Sequence, residues 1–398
     1  MKYIIIVPDG MADHPIERLG GKTPLEAANT PNMTYLAQHG MTGLIKTIPD
    51  GMSPGSDIGN MAILGYDPKK FHTGRAPLEA ASQNIILKDN ELALRCNLVT
   101  VENDVMVDYS AGHIPTKEAD ILIKELNKKL GNEYLKFHTG KSYRHLAILK
   151  VDDVEKYFKI KTRPPHDILN QKLSAHLPSG DGADVLLDLM ERSKEIFKHH
   201  AVNKVRLDLK ENPATMIWLW GQGKRPALPS FKDHHGLSGS IISAVDLVQG
   251  IGKLVGLEII DVPGATGYYD TNYLGKAEHA LQSLKKKDFV YIHIEAPDEA
   301  GHNGDLKAKI EAIERVDKDV VGTILNHFGE HDDVRIIVLP DHPTPVEVRT
   351  HTAEPVGFVM FGKDIPRDGS KEYTETSTQE KGLKFESGED LMKYFFKK

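Results

Sequence analysis

The segment Phe289-Val290-Tyr291-Ile292-His293-Ile294-Glu295-Ala296-Pro297-Asp298-Glu299-Ala300-Gly301-His302 joins a short apolar run to a polar cluster. The run Phe289–Ile294 is too short for a helix and does not alternate cleanly between apolar and polar residues. It reads as a strand buried on both faces, the kind found in parallel sheets. Asp298 and His302 follow it four residues apart, the spacing that places two side chains on one face of a helical turn.

Two further runs are built the same way. Residues 3–7 lead into Asp9 in Val7-Pro8-Asp9-Gly10, and residues 335–339 lead into Asp341 and His342 in Leu339-Pro340-Asp341-His342-Pro343. His351 stands nine residues after His342, just before another apolar run at 357–361. With 257–260, these runs are the expected parallel strands of a doubly wound α/β sheet. Helical crossovers are expected near 240–254 and 272–284. Thr30-Pro31, Met33, Leu36 and Gly40 read as N-cap, first helical residue, apolar face and C′ glycine of another helix.

Residues 90–225 have their own alternation: strand-like runs at 92–101, 105–109 and 145–151, and helices near Thr116–Leu130 and 182–199. Turn-rich stretches bracket them, Lys88-Asp89-Asn90 before and Gly221-Gln222-Gly223-Lys224-Arg225-Pro226 after. The expected organisation is a discontinuous core, 1–89 and 226–398, carrying an inserted smaller α/β cap domain, 90–225. A chain of 398 residues is long enough for two such domains.

Composition narrows the function classes. A net charge of −7 argues against binding nucleic acid through its phosphates. The basic run Lys285-Lys286-Lys287 reads as a solvated helix end. Cys96 is the only cysteine, so no intramolecular disulfide forms, which fits a reducing cytoplasm. The N-terminal apolar run is short for a signal peptide, and no stretch suits a membrane span. The reading is therefore a cytoplasmic protein with no nucleic acid or membrane partner; the oligomeric state is open.

Ligand chemistry supports a catalytic site at the strand ends. Asp-Gly alone is a common turn, and an Asp–His pair alone is a common surface pair. Ligand-type residues at four such places, Asp9, Asp298 with His302, Asp341 with His342, and His351, point together to a metal centre. Carboxylates and imidazoles without thiolate suit Mn, Zn, Mg or Co, and carboxylate-rich sites favour the harder ions. Two divalent ions are the usual apparatus for displacement at phosphorus. Ser53-Pro54-Gly55-Ser56-Asp57-Ile58-Gly59-Asn60-Met61 adds a nucleophile, because it reads as a loop entering a helix with Ser56 at the N-terminus. Backbone N–H groups there favour an anion. Alone, Ser56 would be an ordinary capping residue.

The order Asp9, Ser56, Asp298-x-x-x-His302, Asp341-His342 and His351 resembles the alkaline phosphatase superfamily. The opening Val7-Pro8-Asp9-Gly10-Met11, the block Ser53 to Pro68 and His72-Thr73-Gly74-Arg75-Ala76-Pro77 resemble the archaeal-type cofactor-independent phosphoglycerate mutases. The resemblance implies an alkaline-phosphatase-like core with an inserted cap. It also implies two divalent ions, one on Asp9, Ser56, Asp341 and His342, the other on Asp298, His302 and His351. Mn2+ comes first, with Mg2+, Zn2+ or Co2+ as alternatives, and no bisphosphoglycerate is needed. The implied reaction passes through a phosphoserine at Ser56 and moves phosphate between the 3- and 2-hydroxyls of glycerate, with the cap excluding water.

A substrate carrying carboxylate and phosphate calls for Arg or Lys. The candidates are Arg75, Arg144, Arg163, Lys224 and Arg225, with His113 as an acid or base of the cap. The remaining histidines read as structural or solvated. A phosphatase using the same serine and metals is the nearest rival, since the core motifs are common to both. A nucleotide-binding enzyme fits poorly. Gly140-Lys141-Ser142 has the tail of a P-loop but Leu135 where its first glycine belongs, Gly250-Ile251-Gly252-Lys253-Leu254 lacks the Ser or Thr, and no GxGxxG follows a strand. A binding protein with a structural metal would not need Ser56 beside the ligands.

Overall fold

The computed structural model describes residues 1–328, 333–380 and 383–397. The chain forms two compact units, one from Met1–His72 and Ala227–Lys398, the other from Thr73–Pro226. The helix Arg75–Ser82 packs on strands of the second unit, which accounts for the placing of residues 73–89 there.

The first unit is an α/β unit around an eight-stranded sheet. Its order is Lys384–Phe385, Met41–Ile45, Val356–Gly362, Val334–Val338, Lys2–Pro8, Phe289–Ile294, Gly239–Ile242, Glu258–Ile259. Lys2–Pro8 lies centrally, parallel to Phe289–Ile294 on one side and Val334–Val338 on the other. Ile4, Ile6, Val290, Ile292, Ile336 and Val338 are fully buried in one core cluster with Met33, Leu36 and Ala277 of flanking helices. Each such side chain contributes about 1.5–3 kcal/mol on burial. The residues between them in the strands are buried as well, so the strands carry no alternation.

The register positions the site. Ile6 is level with Val338, and Pro8 with Ile294, so three neighbouring strands end along one edge. Asp9 N–H donates to the Ile294 carbonyl at 2.9 Å, and Leu339 N–H to the Ile6 carbonyl at 3.1 Å. The residues just beyond these bonds are the ones that carry chemistry.

Several local expectations need correction. Val356–Gly362 runs antiparallel to both neighbours. No crossover helix separates it from Val334–Val338, so the chain can only return antiparallel. Residues 240–242 are strand, and the crossover helix begins at Asp246. The helix Pro31–His39 is not capped by the Thr30 side chain. Asp317 performs that task, accepting from Met33 N–H at 2.7 Å and Asn32 N–H at 3.2 Å, a pairing that spans most of the chain.

The second unit is built on a five-stranded antiparallel sheet. The long strand Glu91–Glu102 pairs with Val105–Asp108, Arg144–Lys150 and Met216–Lys224, and Leu135–Lys141 lies outside Arg144–Lys150. Helices Thr116–Leu130 and Ala183–Phe197 cover it. Gly221 to Lys224 thus belong to a strand rather than a bracketing turn. The turn-like composition is set by a partner distant in sequence, because a Cβ on Gly223 would stand 2.2 Å from the Thr73 carbonyl oxygen. Among the described residues, no helix is long and apolar enough to cross a membrane.

Candidate active site

All seven residues expected to bind metal lie in the first unit, and the fold brings them together. Asp9 and Asp341 with His342 extend from adjacent strand ends and are fully buried. Asp298 and His302 ride on the helix Ala296–Asn303, with His302 Nε2 3.2 Å from Asp298 Oδ2. His351 arrives from the loop after His342, with Nε2 3.5 Å from Asp298 Oδ1 and 2.9 Å from His302 Nε2. His342 Nε2 lies 3.5 Å from both Asp9 Oδ1 and Asp341 Oδ2.

Ser56 is the first residue of the helix Ser56–Ile63. Its Oγ donates to Asp9 Oδ2 at 3.2 Å and lies 3.3 Å from His342 Nε2. The first-turn N–H groups and the helix dipole favour negative charge at this position. Asn60, one turn later, donates from Nδ2 to the Ser56 carbonyl at 2.9 Å and to Asp341 Oδ2 at 2.7 Å. Tyr291 O–H in turn donates to Asn60 Oδ1 at 2.5 Å. One buried amide therefore ties the Ser56 helix, the Asp341 loop and the strand Phe289–Ile294.

Two glycines permit the close approach. Gly10 has φ 61°, donates its N–H to Asp341 Oδ1 at 3.2 Å, and would place a Cβ 2.5 Å from Asp298 Oδ1. A Cβ on Gly59 would stand 2.5 Å from the Asp341 carbonyl oxygen. Any side chain at either position would push the ligands apart.

The electrostatics show a deficit of positive charge. Burial, then the charges of Asp341, Glu295 and Asp298, push the Asp9 carboxyl well above its usual range. Burial also pushes Asp298 up, but hydrogen bonds from His302 and His351 and nearby imidazole charge together hold it well below. The Asp298 hydrogen bond raises His302 to about 9. The donor set divides into two groups whose ligand atoms lie within 4.8 Å of one another: Asp298, His342 and His351, and Asp9, His293 and Asp341. Buried Asp9 Oδ1 has no hydrogen-bond partner. Carboxylate–imidazole groups with an orphaned carboxylate oxygen fit hard or borderline divalent cations.

The substrate-binding candidates all belong to the second unit. Arg75 opens the helix Arg75–Ser82, and its charge and that of Arg144 both act on buried Arg95. Arg144 is exposed and stacks over the Tyr143 ring at 5.3 Å. Exposed His113 stands edge-on to the same ring at 6.1 Å. Arg163 is exposed, its carbonyl accepting from Trp218 Nε1 at 2.8 Å. Lys224 pairs with Glu155, and Arg225 with Asp89 at 3.4 Å. Sequence reasoning missed Arg95, which pairs with Glu79 at 2.9 Å and stacks on Trp220 at 4.2 Å. It also missed Asn60, His293 and Glu295. Asn60 could have been found from its i+4 spacing to Ser56, and His293 from its place inside the apolar strand Phe289–Ile294.

Asn60→Ala removes a hydrogen bond to the Asp341 carboxylate and leaves Tyr291 O–H without its acceptor. The expected result is metal affinity weaker by about 10–100-fold, read by titration against a competing chelator.

Residues 37–203 match a family model described as 2,3-bisphosphoglycerate-independent phosphoglycerate mutase. The chain is 47% identical to the protein of that name from Methanothrix thermoacetophila, over 99% of both chains. It is 48% identical to the one from Methanosarcina barkeri, over 98% of both. A Pyrococcus horikoshii protein of solved structure superposes with TM-score 0.85 at 30% identity, covering 99% of this chain and 97% of that one. The cofactor-independent phosphoglycerate mutase of Thermoplasma acidophilum gives 0.70 at 27% identity, over 99% of both.

Proposed function

The chain belongs to the 2,3-bisphosphoglycerate-independent phosphoglycerate mutases, and from that premise we propose how its own residues carry the reaction. The enzyme interconverts 3-phosphoglycerate and 2-phosphoglycerate without bisphosphoglycerate. Ser56 is the nucleophile. Its Oγ bonds to phosphorus as the bond from phosphorus to the C3 oxygen breaks, and glycerate leaves with a proton on that oxygen. The C2 hydroxyl then takes the phosphoryl group, Ser56 regains its hydroxyl, and no water is consumed. The observation that carries this reading is Ser56 Oγ at a helix N-terminus, 3.2 Å from Asp9 Oδ2 and 3.3 Å from His342 Nε2.

Asp9, Ser56, Asp341 and His342 would hold one divalent cation, and Asp298, His302 and His351 the other, with Mn2+ the first choice. Bound there, the cations would supply positive charge to the phosphoryl oxygens and favour the serine alkoxide. Asn60 and Gly10 hold Asp341 in place, and the helix N-terminus at Ser56 favours the attached phosphate. Arg75, Arg144, Arg163, Lys224 and Arg225 are the proposed contacts for substrate carboxylate and phosphate, and His113 the proposed acid or base. Of these, Lys224 and Arg225 already have acidic partners, Glu155 and Asp89. Work in the cytoplasm fits a single cysteine buried in a strand.

Enolase-coupled conversion of 3-phosphoglycerate with Mn2+ and without bisphosphoglycerate tests the reading, with phosphate release followed in parallel. Isomerisation with little free phosphate is expected. Free phosphate without isomerisation would make the chain a phosphatase that keeps Ser56 and its ligands.

A further inference from the structure

Lys309 and Asp13 have no part in the mechanism above, yet both are buried in the first unit and paired, with Nζ 2.7 Å from Asp13 Oδ2. A buried ion pair is a weak device for stability, because desolvation of both charges offsets most of their attraction. The hydrogen bonds of this pair point to another use. Lys309 rides on the helix Leu306–Arg315. Its Nζ donates to Asp13 Oδ2 at 2.7 Å, to the Thr344 carbonyl at 2.8 Å and to the Ala12 carbonyl at 3.4 Å. Asp13 Oδ2 also accepts from Val346 N–H at 3.0 Å, and Thr344 N–H donates to the Ala12 carbonyl at 3.2 Å. One ammonium therefore joins the loop after Asp9 to the loop after His342.

Thr344 carries that connection into the site. Its Oγ1 donates to Asp298 Oδ1 at 2.5 Å and lies 3.2 Å from His342 Nδ1. A hydroxyl has one proton, so with that proton given to Asp298 it can only accept from His342. Nδ1 then carries the imidazole proton, and Nε2, which faces Ser56 Oγ, keeps its lone pair for a cation. Thr344 is closely fitted as well. A Cβ on Gly301 would stand 2.2 Å from its carbonyl oxygen, and one on Gly10 2.6 Å from its Oγ1. We propose that Lys309 is a positioning residue of the metal centre, setting through Thr344 the spacing between the Asp298 side and the His342 side. The proposal rests on the two-cation reading. Displacement at phosphorus by a pair of ions needs them about 3.5–4 Å apart, so a slip of one loop against the other is felt in the second ion.

The test is titration of Mn2+ into the metal-free full chain, with electron paramagnetic resonance reading the coupling between the ions. Lys309→Met combined with Asp13→Asn removes both charges and keeps an acceptor for Val346 N–H. Thr344→Val removes only the hydroxyl, and Thr344→Ser keeps it. Wild type is expected to bind two equivalents and give a spin-coupled spectrum. The double variant and Thr344→Val should each bind the second equivalent about 10–100-fold more weakly. Both should lose the coupled spectrum, with kcat lowered and KM for 3-phosphoglycerate unchanged, while Thr344→Ser stays close to wild type. A double variant with a lowered melting temperature but unchanged Mn2+ binding and coupling would make Lys309 merely structural and overturn the proposal. So would a loss confined to Thr344→Val, since Thr344 would then act without Lys309. A double variant that does not fold, or that binds both equivalents more weakly alike, would show a general structural role and also overturn it. Fewer than two equivalents in wild type would overturn the two-cation reading and the proposal together.

Discussion

Ser56→Ala is expected to lower mutase turnover by about 10⁴-fold or more while leaving the fold and the metal centre largely in place. The size follows from the role assigned to Oγ. It forms the covalent bond to phosphorus, so its loss removes the route rather than slowing one step. The backbone has little reason to move. Ser56 uses no side-chain cap on its own helix, and the helix is held by Asn60 and by the fit of Gly59 against the Asp341 carbonyl. Melting temperature and metal content should therefore stay close to wild type. Intact-mass analysis after rapid mixing with 3-phosphoglycerate should find covalent phosphate on wild type and none on the variant. Normal turnover by Ser56→Ala would sink the nucleophile assignment outright. Lost turnover together with lost metal would instead show that Ser56 matters chiefly as a ligand.

How much of this was legible in the sequence depended on how local each cause was. Phe289–Ile294 was readable to the residue, because a fully buried strand declares itself by composition. Thr116–Leu130 was readable for the matching reason: its apolar residues Leu122, Ile123, Leu126 and Leu130 recur at helical spacing. That the candidate ligands would meet was legible because parallel strands must end at one edge, so an Asp or His just past each strand converges in space whatever the intervening chain does. What failed was set by distant partners. Asp317 capping the helix at Met33 is invisible to a window of ten residues. The antiparallel return of Val356–Gly362 depends on a missing crossover, and Gly221 to Lys224 look like a turn because glycine there answers to Thr73. His293 was passed over since an imidazole in a strand reads as a satisfied core residue until the atom beside it is known.

Asp298→Asn should be the most damaging single change among the carboxylates and imidazoles proposed to hold metal, and chelation should mimic it. Asp298 is the carboxylate against which both His302 and His351 are arrayed, and it also accepts from Thr344 Oγ1 at 2.5 Å. The amide keeps the shape but removes the negative charge, so the two imidazoles lose the partner that aligns them and a cation loses its only anionic ligand in that set. One equivalent of metal should disappear by elemental analysis, with kcat down by about 10³-fold or more, as expected where phosphoryl transfer relies on charge stabilisation. Excess EDTA on wild type should abolish turnover and Mn2+ should restore it. Heat stability gives an independent reading. A cation at 100 times its dissociation constant stabilises the folded state by about 2.7 kcal/mol. The effect should be reinforced here, because Asp9, Glu295, Asp298 and Asp341 repel one another when no cation lies between them. Added Mn2+ should thus raise the melting temperature of EDTA-treated wild type, and raise that of Asp298→Asn by less. Equal shifts in the two proteins, with metal content unchanged, would remove Asp298 from the centre and with it the pairing of His302 and His351 as ligands.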